Sequence, residues 1–414
     1  MEAGSIPQQA EQTAEETGSA DLVVGILVEL DSDATLRICG ALRDFPGPLR
    51  IAILQDDRRG SPALPDAKTT TECASVFFVP SPLAKPDGSK GTLGTSEAYQ
   101  SVFAAAEKLQ ARGCCVIASK LAGATPERAW QLVRPLFDDS ADLVLPHYTS
   151  GRFDGLLNAG VIAPMMRSLY GKRINNPMGP DIGVSRQLLQ KLFVKRAGNS
   201  GTNLHPLACL APAALCDSLR IIEVNLGARI YPPTDWTTMS SVLADVLSPV
   251  LLDMERNASC WQRTRVSVPI RAVGEPFSLS QDSAALDTSR LVDLFQLGNR
   301  ELQEIWSLVL PPSSLFELRK LARLPQDQFH MPDELWVKIV YDFALAHRLR
   351  TISRDHLLKS MTPLYLGWVA SYAHDLQPLG TASPDRRLER LSLAYEAGKS
   401  YLLSRWRWPD RFNP

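Results

Sequence analysis

Apolar positions fall into two textures along the chain. From Asp21 to about Met254, short runs of apolar residues alternate with stretches of helical spacing. Leu22–Leu30 is a nearly continuous apolar run, as expected for a strand buried on both faces. Helical spacing follows at Leu36, Cys39 and Leu42, with Ser32 or Asp33 placed to cap it. Further strands are predicted at Arg50–Leu54, Ser75–Val79, Cys114–Ala118 and Asp142–Leu145, with a helix over about 96–111. Thr125-Pro126-Glu127 reads as a helix start: a capping hydroxyl, Pro at the first helical position, then an acid in the first turn. Alternation of this kind predicts a mainly parallel, doubly wound α/β sheet, whose ligands bind beyond the carboxyl ends of the strands.

After about Met254 the spacing turns helical, apart from a strand-like stretch at Arg263–Ala272. Asp287 is placed to cap a helix carrying Leu291, Leu294 and Phe295. Pro332-Asp333-Glu334 opens another, with Leu335, Trp336, Ile339, Val340 and Phe343 on its apolar side. Leu388, Leu391, Tyr395, Gly398 and Leu402 mark the last helix. Residues 1–20 lack aromatics and read as a disordered tail, with neither the basic start nor the apolar middle of a signal peptide. The predicted division is therefore a tail at 1–20, an α/β domain at 21–255 and a helical region at 256–414.

Composition narrows the function classes. The 414 residues are 45% hydrophobic and 21% charged, an ordinary globular balance. A net charge of −1 argues against a broad nucleic-acid-binding face. The basic end of the chain (Arg405, Arg407, Arg411 around Trp406 and Trp408) reads as a solvated tail packing its two Trp residues against a helix. No apolar run approaches the ~20 residues of a membrane span. Seven Cys residues without a secretory signal read as reduced, mostly buried thiols, which points to the cytoplasm.

The most informative segment runs from Asp142 to Ser185, DLVLPHYTSGRFDGLLNAGVIAPMMRSLYGKRINNPMGPDIGVS. It resembles the retaining GT-A glycosyltransferases of the glucosyl-3-phosphoglycerate and mannosylglycerate synthase type. The matching residues are Pro146, Tyr148, Asp154, Gly155, Asn158, Leu169, Tyr170, Gly171, Pro177, Gly179, Asp181, Gly183 and Ser185. The resemblance continues through Leu226-Gly227, Trp261, Leu335-Trp336, Tyr341–Ala344 and His356–Ser371. It implies a GT-A sheet, and transfer of a hexose from a nucleoside diphosphate sugar to a small acceptor of the glycerate kind. Charge building on the leaving diphosphate must then be neutralised. Members of the family use Mg or Mn for this, held by oxygen ligands from an Asp-x-Asp after the fourth strand and by a His after a Leu-Gly motif.

This chain departs from that pattern at the metal ligands. The Asp-Ser-Asp-Leu of the family is Ala118-Ser119-Lys120-Leu121 here, and the His position after Leu226-Gly227 is Tyr231. With three ligands gone together, no metal cofactor is expected. Either Lys120 or Arg229 takes the cation's place, or the site is inactive and the fold serves binding. The literal Asp31-Ser32-Asp33 follows the first strand and reads as a helix cap.

Further candidates come from the same alignment of motifs. Asp181 is the best remaining site residue, expected near the acceptor or the reacting sugar, or else as a helix or turn cap. Its neighbour Pro180 replaces a family Gly and removes a backbone donor. Glu29, Asp56, Lys90, Gly94, Ser119, His147, Tyr148, Asn158, Gly179 and His205 complete the expected substrate and nucleotide contacts. Asp56 is equally read as part of a solvated turn, and His147 as structural. A retaining front-face mechanism needs no separate base, because the leaving phosphate can accept the acceptor's proton. A sugar-phosphate nucleotidyltransferase would need a Gly-rich loop after the first strand, and Glu29–Asp33 has none. The apolar C-terminal helices allow a homodimer and are equally explained by an internal core.

Overall fold

A computed structural model describes residues 19–27, 32–43, 49–56, 75–81, 96–122, 127–197, 205–231, 234–275, 286–376 and 383–408. The chain forms two compact units. The first takes Met1–Thr149, Met178–Ile230 and Arg271–Ser278, and the second takes Ser150–Pro177, Tyr231–Ile270 and Leu279–Pro414.

The first unit is an α/β sheet. Its strands are β1 (Leu22–Ile26), β2 (Arg50–Asp56), β3 (Ser75–Ser81), β4 (Gly113–Ile117), β5 (Leu121–Ala122), β6 (Leu143–Thr149), β8 (Ile182–Ser185), β9 (Ile221–Arg229) and β11 (Arg271–Val273). Among the described residues their order is β11-β9-β6-β8-β4-β1-β2-β3, with β5 added onto β9. All pairings are parallel except those of β8 and β5. β1 and β4 are buried along their whole length, which explains why they read as unbroken apolar runs rather than as alternation. The antiparallel β8 sits between β4 and β6, with Gly183 opposite both Cys115 and Val144. A Cβ on Gly183 would lie 2.3 Å from the Leu132 carbonyl oxygen of α3 (Glu127–Phe137), so only Gly lets that helix rest on the sheet here. The other helices of this unit are α1 (Ser32–Arg43), α2 (Ser96–Lys108), α5 (Arg186–Ala197) and α6 (Pro206–Cys216).

The second unit is helical apart from one ladder, β7 (Lys172–Arg173) with β10 (Val268–Pro269). The expected strand at Arg263–Ala272 is thus realised as two short ones, β10 here and β11 in the sheet. The helices are α4 (Ala163–Tyr170), α7 (Met239–Arg256), α8 (Ala258–Trp261), α9 (Thr288–Glu301), α10 (Gln303–Ser307), α11 (Pro312–Leu321), α12 (Asp333–Leu349), α13 (Arg354–Ser360), α14 (Thr362–Asp375) and α15 (Pro384–Arg407). Asp287 caps α9 as expected, accepting from the Arg290 amide at 3.1 Å. The core is aromatic: Trp261, Trp306, Trp336, Trp368, Tyr341, Tyr365, Tyr372 and Tyr395 are all buried, and Trp336 stacks on Trp368 at 5.8 Å.

Buried charges in this unit are paired. Arg387, fully enclosed, makes two bonds to Asp333 (2.9 and 2.7 Å) and one to Asp375 (2.5 Å). Lys399 donates to the carbonyls of Ser168 (2.7 Å), Leu169 (2.9 Å) and Thr264 (2.8 Å), and so ties α15 to the C-terminal turn of α4. Burial draws the Lys399 pKa down to about 8. His347 is fully buried and neither ring nitrogen has a hydrogen-bond partner. Burial, then the nearby Arg354, lowers its pKa to about 4.

Two expectations are corrected. The basic end is not a solvated tail: α15 runs to Arg407, Trp406 is buried edge-on to Trp261 at 5.2 Å, and Arg405 pairs with Asp342 at 3.1 Å. Arg407 and Trp408 are exposed, Trp408 lying just beyond the end of the helix. Nor are all the thiols reduced. Cys39, Cys114, Cys115 and Cys209 are free, while Cys216 and Cys260 are disulfide-bonded. Bridging depends on separations in the fold that residue spacing does not reveal. Among the described residues no helix is long and apolar enough to cross a membrane.

Arg387→Ala should destabilise the protein by about 3 kcal/mol in denaturant melts, because the buried Asp333 carboxylate exchanges a two-bond partner for the more exposed Arg390 alone, 3.2 Å away. The His347 pKa is depressed on folding, so the unfolded chain binds the extra proton first. Its contribution, on the order of 3 kcal/mol, is present above the ordinary His value of ~6.5 and is lost as pH falls toward about 4. Urea melts across that range should show the loss, and His347→Leu should flatten it.

Candidate functional site

The sheet brings the motif residues to one edge. β4, β6 and β9 point the same way, and β8 runs against them. The residues leaving β4 (Ala118–Lys120), ending β6 (His147–Thr149), ending β9 (Arg229) and entering β8 (Gly179–Asp181) therefore share the carboxyl edge. Ligands bind at that edge in open α/β sheets.

Asp181 is the centre of this edge and is fully buried. One carboxylate oxygen accepts from the backbone amides of Ala118 at 2.8 Å and Ser119 at 3.1 Å. The other accepts from the Tyr148 hydroxyl at 2.5 Å. Tyr148 Oη in turn lies 3.2 Å from Ser119 Oγ and accepts from the Asp181 amide at 3.3 Å. Asp181 does not cap the helix that begins after Ser185. Ser185 does that itself, its Oγ accepting from the Leu188 amide at 3.3 Å. Pro180 has no N–H to give, but its carbonyl accepts from the Tyr99 hydroxyl at 2.8 Å.

Alternation along the end of β6 buries Tyr148 between the half-buried His147 and Thr149. His147 lies opposite Asn225, then a bulge places Tyr148 opposite Gly227. Gly227 has φ of +90°, a conformation open to Gly. The Leu226-Gly227 motif thus has a local role: Leu226 is the extra residue of β9 at this bulge, and Gly227 supplies the backbone conformation beside it. His147, half-buried, stays in the ladder.

The two expected cations are separated. Leu121 pairs with Arg229, and the Ile230 amide donates to the Lys120 carbonyl at 2.9 Å. Side chains directly opposite in such a ladder share a face. Arg229 shares the face of the buried Leu121, and its guanidinium lies 5.4 Å from the centre of the Tyr148 ring. Lys120 shares the face of the exposed Ile230 and is itself exposed.

Tyr99 and Tyr148 are held well above the ordinary tyrosine range, first by burial and then by the Asp181 carboxylate, with Arg229 acting the other way. His205 caps α6, its Nδ1 accepting from the Leu207 amide at 3.3 Å, and meets the Tyr99 ring edge-on at 5.7 Å. Tyr99 is the site residue that the sequence reading passed over. Its only signal was a large aromatic in the first turn of a helix.

The remaining candidates lie elsewhere or outside the described residues. Ser119 and Gly179 are buried at the edge. Asn158 belongs to the helical unit, where its amide donates to the Asn175 carbonyl at 2.7 Å. Asp56 ends β2. Glu29, Lys90 and Gly94 lie outside the described residues.

The residues do not fit the divalent cation that the sequence resemblance implies. Ala118, Ser119 and Lys120 offer no carboxylate, and the Asp181 oxygens already face two amides and a hydroxyl. Among the described residues no three His, Cys, Asp or Glu side chains converge on a common point.

No protein-family model matches this chain, and no curated protein sequence matches it. Solved structures similar to it include glucosyl-3-phosphoglycerate synthase from Mycobacterium tuberculosis in complex with Mn2+, UDP-glucose and phosphoglyceric acid. That likeness has 18% identity, covers 61% of this chain and 85% of that one, and has a TM-score of 0.37. The same enzyme with phosphoglyceric acid alone gives 17% identity, 61% and 85% coverage, and a TM-score of 0.36. A further mycobacterial protein gives 17%, 61% and 80%, and 0.35. Similarity at this level carries no inference about chemistry.

Tyr99 and Tyr148 should stay protonated at the pH of ~10 where exposed phenols ionise. Ultraviolet titration of Tyr148→Phe should therefore leave the amplitude of that ordinary phase unchanged. A smaller amplitude would show that Tyr148 titrates normally.

Proposed function

We propose that this chain is a GT-A-type protein that binds a nucleoside diphosphate sugar at the carboxyl edge of its sheet and transfers the hexose to a small acceptor of the glycerate kind. One observation supports this best. Arg229 holds a cation over the Tyr148 ring, beside the 118–120 loop where the sequence resemblance puts the metal carboxylates. A guanidinium can pair with a diphosphate through two parallel bonds and needs no metal.

In that reading the bond between the sugar's anomeric carbon and the diphosphate oxygen breaks, and the acceptor hydroxyl oxygen bonds to that carbon. The hydroxyl proton passes to the leaving phosphate oxygen. Arg229 stabilises the charge that grows on the diphosphate. No carboxylate is required as a base, which is consistent with the full occupation of Asp181. Lys120, exposed on the other face of the β5–β9 ladder, is the secondary cation.

The absence of carboxylates at 118 and 120 favours a second reading, a protein that binds the sugar nucleotide and does not turn it over. The two readings share a binding step and separate at turnover.

Thermal melts with a panel of nucleoside diphosphates and their sugars, each with manganese and with EDTA, test the shared step. A ligand at a hundredfold excess over Kd stabilises by about 2.7 kcal/mol. The shift is expected to survive EDTA and to shrink in Arg229→Ala, whose affinity should fall about tenfold or more. A shift that needs manganese would overturn the role given to Arg229. Turnover of the stabilising sugar nucleotide then selects the enzyme over the binding protein.

A further inference from the structure

We infer that Asp181 is a positioning residue: its buried carboxylate fixes the loop after β4 and, through Tyr148, the guanidinium of Arg229, and it touches no substrate. This rests on the nucleotide-binding reading above and goes beyond it, because the motif resemblance would place Asp181 against the sugar or acceptor.

A buried carboxylate is costly unless hydrogen-bonded, and this one has a partner on each oxygen. The partners are the loop itself. Ala118 and Ser119 turn their amides inward, so those two N–H groups are not directed at a bound anion. Their donors are spent on Asp181, and an anion at this edge must be recognised by side chains instead. The loop's other end is held by the Ile230-to-Lys120 bond and the β5–β9 ladder. Residues 118–120 are thus fixed from both sides.

The second link is Tyr148. Its hydroxyl is held between Asp181 and Ser119, and its ring carries Arg229 at 5.4 Å. If the hydroxyl loses Asp181, the ring loses its anchor, and with it the surface on which the guanidinium rests. Where the family pattern uses two loop carboxylates to hold a cation, this chain uses one carboxylate from β8 to hold the loop, and a guanidinium supplies the charge.

Asparagine separates positioning from direct contact. In Asp181→Asn the amide oxygen can still accept from Ala118 and Ser119. The amide nitrogen can donate to Tyr148 Oη, whose proton then turns to Ser119 Oγ. In Asp181→Ala all of these bonds go. The experiment measures amide hydrogen exchange at Ala118 and Ser119, and UDP binding in EDTA, for wild type, both Asp181 variants and Tyr148→Phe.

The expected result is slow exchange at both amides in the wild type, about a hundredfold faster in Asp181→Ala and within about tenfold of wild type in Asp181→Asn. UDP affinity should follow the same order, with Tyr148→Phe between the Asn and Ala variants. Fast exchange in the wild type, or equal exchange in the Asn and Ala variants, overturns the inference. So does an Asn variant that keeps protected amides yet loses as much UDP affinity as Ala, because the charge would then act on the ligand itself. Should Asp181→Ala fail to fold, Tyr148→Phe carries the contrast, with faster exchange at Ser119 expected and no change overturning the link. A wild type that does not bind UDP would sink the nucleotide reading, and the exchange contrast would still decide whether Asp181 holds the loop.

Discussion

A single buried carboxylate organises the carboxyl edge of the sheet. Taking Asp181 out of water is tolerable only because two backbone amides and a phenol converge on it, and each of those bonds is charge-assisted. Its hydrogen-bond donors come from two places in the chain, the loop after β4 and the end of β6, and the Pro180 carbonyl next door separately accepts from Tyr99 in the first turn of α2. Removing the carboxylate would leave donors in both places without that acceptor. The edge is therefore a cooperative unit rather than a set of independent side chains.

That unit explains how the edge is ordered without carboxylates at 118 and 120. Two acids close together at 118 and 120 would repel a buried Asp181 unless a cation lay between them. With Ala118 and Lys120 in their place, the repulsion is gone and the loop amides can turn toward Asp181. Positive charge then comes from Arg229, and the aromatic ring beneath it favours a guanidinium over an ammonium. The alternation of the β5–β9 ladder puts Lys120 on the other face.

The helical unit is held by a different balance. Its core is a group of stacked and edge-on aromatic rings, within which Arg387 and Lys399 are buried with their bonds satisfied. His347, by contrast, is buried with neither ring nitrogen hydrogen-bonded and is kept neutral by that burial. Acid should act on this unit through His347, because charging it has nothing to offset the desolvation.

The sequence by itself determined the elements and their class. Apolar runs at β1 and β4 and helical spacing from α9 to α15 follow from burial on two faces or one, and burial leaves a local trace in residue order. It also supplied the names of most residues at the edge, including Ser119, Tyr148, Asp181 and Arg229. What those side chains do was decided by the tertiary structure. No local pattern shows that Asp181 bonds a loop 62 residues away, that the Tyr148 hydroxyl meets it from 33 residues away, or that the β5–β9 pairing parts Lys120 from Arg229. Tyr99 carries no local mark of its role for the same reason, since its partner is a carbonyl 81 residues on. The fold also sends residues 178–230 back to the sheet after 150–177 have joined the helical unit. Local periodicity reports whether a residue is buried, but a partner is chosen by contacts between distant segments, and only the folded chain brings those together.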